Sequence, residues 1–136
     1  MLLPKRIKFR RQFRQRKVKG KAWVGSGLAF GEYGLCTLSA GRLSSRQIEA
    51  ARKVIIHYTK RSGRMWIRIF PDTPISKKPS ETRMGGGKSP VDHFAAIVKP
   101  GRMIFELSGV PEERARGALE RAARKLPVKT RIIVEE

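Results

Sequence analysis

A glycine-rich stretch, "ETRMGGGKSP" over residues 81–90, holds the residue types that bind phosphate. Glycines let backbone N–H groups approach an anion closely, and Arg83 and Lys88 add positive charge. The phosphate loop of a nucleotide hydrolase has the pattern Gly-x-x-x-x-Gly-Lys-Ser and lies between a strand and a helix. Here Thr82 occupies the first glycine position, a proline-rich stretch precedes the motif and a strand pattern follows it. The stretch therefore favours binding of a nucleic-acid backbone over binding of a nucleotide.

The charge of the whole chain supports a polyanionic partner. The 136 residues include 31 Lys and Arg against 11 Asp and Glu, which gives a formal net charge of +20. A bound polyanion relieves self-repulsion of this size. An anionic membrane or an acidic protein would also supply negative charge, but the release of condensed counterions favours a dense polyphosphate. We therefore expect the partner to be a nucleic acid and not a membrane.

The N-terminal segment is the most strongly basic part of the chain. Its ten cations are Lys5, Arg6, Lys8, Arg10, Arg11, Arg14, Arg16, Lys17, Lys19 and Lys21, and the first acidic residue is Glu32. A disordered solubilising tail would have a similar composition. However, Phe9 and Phe13 lie among the cations, and aromatic rings can stack on bases or anchor a segment to a core. We therefore expect residues 1–22 to be an RNA-binding arm and residues 23–136 to be a single domain.

Two helices are predicted to support these basic segments. In residues 44–63, Ser44 and Gln47 match a capping box, a regular apolar face follows, and Gly63 marks the end. The second helix is predicted in residues 110–126, where Glu112 and Glu113 complement the positive end of the helix dipole.

The remaining patterns are typical of strands and loops. Glycines among apolar residues in 25–38 predict a bent or bulged strand pair. The alternation in 64–72 predicts a strand whose Trp66, Arg68 and Phe70 face is more typical of burial under a helix than of a base-stacking platform. Residues 71–90 are expected to form a long functional loop, residues 91–107 a β-hairpin and residues 128–136 a closing strand. These elements predict an α+β fold with a mostly antiparallel sheet and two helices.

Catalytic, metal and membrane functions lack support in the sequence. His57 and His93 have no cysteine partner and no metal-ligand spacing, and Cys36 is the sole cysteine. No apolar run approaches the ~20 residues of a spanning helix. An organellar transit peptide is also Arg-rich, but Pro4 and the unsegregated charge disfavour an amphipathic helix. We expect no enzyme activity, no cofactor, no metal, and a reducing, cytoplasmic location.

Several motifs together resemble one known family. They are "MLLPKRIKFRRQFR", "FGEYGL", "RQIEAAR", "WIRIFPDTPISKKPSETRMGGGKSPV", "VKPGRMIFELSGVPEERAR" and "KLPVKTRI". In this order, over nearly the whole chain, they resemble the sixteenth protein of the bacterial and organellar large ribosomal subunit.

The resemblance implies a structural protein that binds large-subunit rRNA near the peptidyl-transferase centre and helps to position A-site tRNA, with P-site tRNA as a further candidate. It also implies a β-hammerhead-type sandwich, neighbouring large-subunit proteins and a bacterial or organellar ribosome. Besides the arm cations, the candidate rRNA contacts are Arg46, Arg52, Lys77 and Lys78. The loop aimed at tRNA corresponds to Arg83, Met84, Gly85, Gly87 and Lys88, and in some family members its arginine is hydroxylated.

This chain departs from the family pattern Arg-Met-Gly-Lys-Gly-Lys-Gly at two loop positions. Gly86 replaces the first lysine and Ser89 replaces the last glycine, so Lys88 carries the remaining lysine charge. Trp23 also stands where small or polar residues are more usual in the family. Two other functions stay open from the residues alone. One is a free-standing architectural protein for DNA or RNA, and the other is a phosphotransferase or nucleotide hydrolase that uses Gly87 to Ser89.

Overall fold

The computed structural model describes residues 1–14 and 18–136. Within these residues the elements are β1 (Tyr33–Thr37), β2 (Gly41–Ser44), α1 (Ser45–Tyr58), β3 (Arg64–Ile67), β4 (Thr73–Ser76), β5 (Val91–Val98), β6 (Met103–Ser108), α2 (Glu112–Ala123) and β7 (Thr130–Val134). The strands form two antiparallel sheets, with orders β3-β6-β1-β7 and β2-β5-β4. The predicted α+β class with antiparallel strands and two helices is confirmed.

The core lies between the two helices and the sheets. Helix α1 packs against α2 and against β2 and β5, while α2 packs on β1 and β7. Strand β6 occupies an inner position of the larger sheet and is almost wholly buried, with Ile104 and Phe105 fully excluded from solvent. Burial of such side chains is worth roughly 1.5–3 kcal/mol each.

Helix α1 begins as the sequence predicts and ends earlier. Gln47 N donates to Ser44 Oγ at 3.2 Å, and Ser44 N donates to Gln47 Oε1 at 3.0 Å, so the capping box is confirmed. The helix ends at Tyr58, before the predicted stop at Gly63. Thr59 donates both its N–H and its hydroxyl to Ile55 O, at 3.0 and 2.9 Å, and the chain then leaves the helix at Lys60 and Arg61, whose φ values are +53° and +61°.

The predicted β-hairpin in residues 91–107 is wrong. Its turn is present, with Gly101 at φ +93° and Arg102 N donating to Lys99 O at 3.2 Å. However, β5 and β6 belong to different sheets. Thr37 holds the turn, because its hydroxyl donates to Lys99 O at 2.8 Å and its carbonyl accepts from Gly101 N at 2.7 Å. The Pro-Gly turn therefore carries the chain from one sheet to the other.

Two further strand predictions need correction. The segment 25–38 is not a strand pair, because only Tyr33–Thr37 is a strand, with a register shift against β6 between Leu35 and Cys36. Residues 71–90 are not all loop, because they include β4 at the edge of the smaller sheet. An edge strand tolerates Pro74, since the missing N–H leaves no ladder hydrogen bond broken on the open side.

A buried carboxylate organises the irregular segment before β1. Glu106 on β6 is 0% exposed and forms an ion pair with Arg68. Its oxygens also accept hydrogen bonds from the N–H groups of Phe30 at 2.7 Å, Gly31 at 2.8 Å and Ala29 at 3.1 Å. Burial alone would raise the pKa of Glu106, but the three N–H groups and the Arg68 guanidinium outweigh it and lower this pKa.

The same segment covers the face of β3 that was predicted to lie under a helix. The Phe30 ring stacks on Trp66 with 6.0 Å between centroids and 23° between planes. The Arg68 guanidinium lies 5.2 Å from the Phe30 centroid. The cover is thus an irregular segment and not a helix, and Phe70 at the end of this face stays 46% exposed.

Replacing Glu106 with alanine should strongly destabilise the fold. The substitution leaves the Arg68 charge and three N–H groups without their partner, and breaking a buried pair from one side costs about 3 kcal/mol. Urea denaturation measures the free energy of unfolding. Glu112→Ala is the control, because its exposed pair with Arg116 contributes only about 0.3 kcal/mol. Equal losses in the two variants would contradict the central role of Glu106.

The lowered pKa of Glu106 should also make stability depend on pH. Its contribution is fully present above the ordinary pKa of 4.5 and is lost as pH falls through the lower folded pKa. Glu106→Gln should therefore have a flatter stability profile than the parent chain between about pH 5 and pH 3. Urea denaturation at several pH values gives the two slopes, and identical slopes would refute this assignment.

Candidate nucleic-acid interface

The first part of the arm lies beside the start of α1 and of β5. Leu2 packs against the hydrophobic core and so anchors this segment. Arg10 and Arg11 from the arm line a groove of about 480 Å³ together with Arg46 of α1 and His93 of β5. The fold thus brings an arm segment and a helix cation, distant in sequence, to one surface.

The arm continues next to the glycine-rich loop. A second groove, of about 290 Å³, is lined by Arg14 from the arm, Arg42 from β2, and Lys78 and Lys88 from the loop. The Lys88 ammonium donates a hydrogen bond to the backbone carbonyl of Gln12. Arm and loop are therefore in direct contact and present their cations side by side.

The glycine loop has a backbone conformation that residues other than glycine disfavour. Gly85, Gly86 and Gly87 have φ values of +94°, +76° and +80°, in the left-handed region that favours glycine. No heavy atom of the described residues lies within 4 Å of a Cβ built on any of them. Lys78 Nζ donates to Gly85 O at 2.7 Å, and Met84 is fully exposed at the loop tip. The Lys78 side chain therefore reaches across the loop to the glycine stretch, which presents an open backbone to solvent.

The ion pairs between basic side chains and carboxylates lie outside the described part of the arm. In residues 1–14 and 18–22, no Lys or Arg takes part in an ion pair with a described carboxylate. By contrast, Arg52 is paired with Glu49 at 2.5 Å, and this contact raises the pKa of Arg52. The pair also lowers the pKa of Glu49. An incoming phosphate would compete with Glu49 for Arg52 but would meet uncompensated charge on the arm.

The structure places the predicted contacts in more than one surface. It brings together Arg10, Arg11, Arg14, Arg46, Lys78 and Lys88 around the two adjoining arm grooves. It leaves Lys5, Arg6, Lys8, Lys19, Lys21, Lys77 and Arg83 exposed outside those grooves. Arg52 lies apart, in a groove towards the other end of α1, and the predicted contacts Arg16 and Lys17 lie outside the described residues.

Sequence reasoning missed two groups of cations. Arg42 lies on β2, which was not predicted, although the alternation around the buried Leu43 could have indicated a strand. Lys60 and Arg61 line the groove that contains Arg52, and both have positive φ, +53° and +61°. Positive φ is uncommon for residues other than glycine and gave no signal in the sequence.

The side chains that could have carried chemistry include a buried thiol and a surface histidine bonded to an aspartate. Cys36 is buried, and desolvation raises the pKa of its thiol despite the nearby charge of Arg131. His93 bonds to Asp92 at 2.8 Å on the surface, which lowers the pKa of Asp92. Within the described residues, His, Cys, Asp and Glu form no group of three suited to a metal ion. None of the helices there is both long and apolar enough to cross a membrane.

An α+β domain whose uncompensated cationic arm contacts a basic glycine loop belongs to the class of nucleic-acid-binding proteins. Comparison with known proteins identifies the family within this class. Residues 4–133 match the family described as ribosomal protein L16p/L10e, and the chain belongs to this family. It is 57% identical over 133 residues to the large ribosomal subunit protein uL16 of Bartonella bacilliformis, covering 98% of this chain and 96% of that protein. The resemblance found in the sequence motifs is confirmed.

Replacing Gly86 with alanine should rearrange the glycine loop. An alanine Cβ in the left-handed region costs about 1 kcal/mol, and the open loop can relieve this by changing its backbone conformation. Amide chemical shifts should therefore change across residues 83–88. Gly27→Ala is the matched control, because Gly27 also has open space around its Cβ but lies outside the left-handed region. If both variants shift only their immediate neighbours, the loop backbone does not depend on positive φ at this glycine.

Proposed function

We propose that this chain is a structural constituent of the large ribosomal subunit that binds rRNA and helps to position A-site tRNA near the peptidyl-transferase centre. The observation that carries the proposal is the direct contact between the arm and the glycine loop through Lys88 and Gln12, which joins two basic segments into one surface. Membership of a ribosomal protein family supports the same assignment. The protein acts by binding and has no catalytic role.

The arm, residues 1–22, is the rRNA-binding part of the molecule. Its guanidinium groups bridge phosphates from different rRNA helices, since the planar fork of arginine binds phosphate through two parallel hydrogen bonds. Arg46, Lys77 and Lys78 extend this surface onto the domain of residues 23–136. Arg52 joins it only if RNA displaces Glu49. Recognition depends on RNA shape and single-stranded junctions, because most of these contacts reach the backbone and not base edges.

The glycine loop within residues 71–90 reaches towards tRNA. Lys78 holds the loop at Gly85 and Lys88 ties it to the arm at Gln12, while Arg83 and Met84 stay exposed. The left-handed glycines Gly85, Gly86 and Gly87 leave their N–H groups accessible to a phosphate or ribose. With glycine in place of a lysine at 86, the loop relies on Arg83 and Lys88 for its charge. Neighbouring large-subunit proteins and the P-site tRNA are further partners of the same assembly, in a bacterial or organellar ribosome.

The two rival functions predict different binding behaviour and different structures around the motif. A free-standing architectural protein would bind any duplex with similar affinity, whereas a ribosomal protein should prefer its folded rRNA site. A nucleotide hydrolase would need a strand before and a helix after Gly87 to Ser89. In the structure the motif is preceded by residues 77–86, which are neither strand nor helix, and is followed by β5. The absence of ATP binding by the full chain would remove the enzyme alternative.

Removing one arm cation should weaken rRNA binding modestly and lower its salt dependence. For Arg14→Gln, the slope of log K against log salt should fall in magnitude by about one, because one fewer counterion is released. The measurement is a salt titration of binding to a large-subunit rRNA fragment. Arg116→Gln serves as the control, since Arg116 lies on α2 and pairs with Glu112 at 2.9 Å. A slope that is unchanged by Arg14→Gln would exclude this arginine from the interface.

Replacing Arg83 should affect tRNA more than assembly. Arg83→Gln should incorporate into large subunits at the parent level, while A-site tRNA binding weakens by about tenfold, as expected for the loss of one charge-assisted hydrogen bond. Quantitative mass spectrometry of purified subunits and filter binding of tRNA give the two readouts. Arg114→Gln, an exposed cation on α2, is the control. Normal tRNA affinity in fully incorporated Arg83→Gln particles would refute the role of the loop.

A further inference from the structure

A third groove, separate from the two arm grooves, combines exposed aromatic rings with cations. It has a volume of about 780 Å³ and lies where the arm enters the domain, between residues 18–24, the end of β3 and the turn after β5. Trp23 is 91% exposed and Phe70 is 46% exposed, and both line the groove. Lys21 and Lys99 lie at the same groove and are exposed. Val24, 81% exposed, lines the groove as well, and a cluster of exposed apolar side chains in one groove is typical of a binding surface.

The walls of this groove are fixed by backbone contacts. The Arg102 guanidinium donates to Val24 O at 2.8 Å and to Arg68 O at 3.0 Å, so it ties the segment carrying Trp23 to the strand end carrying Phe70. Ala22 N donates to Pro100 O at 2.9 Å, next to Lys99. Because carbonyls and not carboxylates hold Arg102, its positive charge remains uncompensated by this contact. The groove is therefore a shaped site with positive walls.

We infer that this groove binds an unpaired nucleotide of the RNA, with the base stacked on Trp23 and the phosphate against Lys21 and Lys99. The inference rests on the proposed function and adds a base-stacking site to it. Stacking on aromatic rings next to cations is the common way in which proteins hold unpaired bases. Cations outnumber the one carboxylate of the groove, that of Asp72, which favours a nucleotide over an acidic or neutral protein segment. Asp72 can accept a hydrogen bond from a base amino group.

The test is binding of single-stranded oligoadenylate by the full chain. Trp23→Ala should weaken binding about tenfold, since base stacking is lost, while the salt slope stays at the parent value. Lys21→Gln should instead change the salt dependence of binding, lowering the magnitude of the slope by about one. Leu38→Ala is the control, because Leu38 is also an exposed apolar residue, 54% exposed, and lies outside the groove. Trp23 makes few contacts, so its truncation should not unfold the chain, which circular dichroism checks.

Tryptophan fluorescence supplies a second readout. The chain has two tryptophans, so oligoadenylate should quench the parent protein, while Trp23→Phe, which retains only Trp66, should show little quenching. Normal affinity of Trp23→Ala, or equal quenching in Trp23→Phe, would overturn the stacking site and leave the proposed function intact. Failure of the parent chain to bind oligoadenylate would likewise overturn the stacking site alone, whereas failure to bind the large-subunit rRNA fragment would remove the proposed function.

Cross-linking in assembled large subunits tests whether a nucleotide or a neighbouring protein occupies the groove. A photoreactive p-benzoylphenylalanine in place of Trp23 should form its cross-link with rRNA. A cross-link only to a ribosomal protein, or no cross-link in subunits that contain the variant, would overturn the inference.

Discussion

The buried carboxylate of Glu106 makes the interactions that fix the irregular segment joining the basic arm to β1. It lies within a strand of the larger sheet, and its oxygens bind Arg68 and three consecutive N–H groups of residues 29–31. These contacts fix an irregular segment that has few hydrogen bonds of its own. That segment is continuous with residues 22–25, which are tied to the turn after β5 through Ala22 and to the start of β6 through Gly25. The point at which the arm leaves the domain is therefore held by Glu106 on one side and by these backbone contacts on the other.

The second constraint is electrostatic. Most of the charge on this chain cannot be balanced internally, because 31 cations face 11 carboxylates. The fold uses some of these carboxylates for local pairs, such as Glu49 with Arg52 and Glu112 with Arg116, while the Lys and Arg side chains of residues 1–14, 18–22 and 77–88 form no ion pair with a described carboxylate. Self-repulsion in these segments is the free-energy cost that binding to RNA relieves. The core supplies the stability that holds such a surface in place.

The sequence predicts local features well and long-range pairing poorly. The capping box at Ser44 and the Pro-Gly turn at Gly101 depend on neighbouring residues, and the structure has both. The same turn predicts a hairpin, and that prediction is wrong because alternation in β5 and β6 cannot reveal that each strand pairs with partners from elsewhere in the chain. Glu106 in an apolar strand signals a buried partner, but not that the partner is Arg68. Sequence patterns likewise cannot predict the contact between the arm and the loop. The family could be predicted, because its motifs are spread along the whole chain.

Sedimentation of the tagged chain from an extract of its native cells, on a magnesium-containing sucrose gradient followed by a high-salt wash, tests the central claim most directly. If the arm and loop form a surface fitted to folded rRNA, the chain should migrate with large subunits and remain bound after the wash, because fixed multivalent contacts dissociate far less readily than a loose ionic association. Recovery in the light fractions, or release from the subunits at modest salt, would contradict the assignment and favour a general polyanion binder.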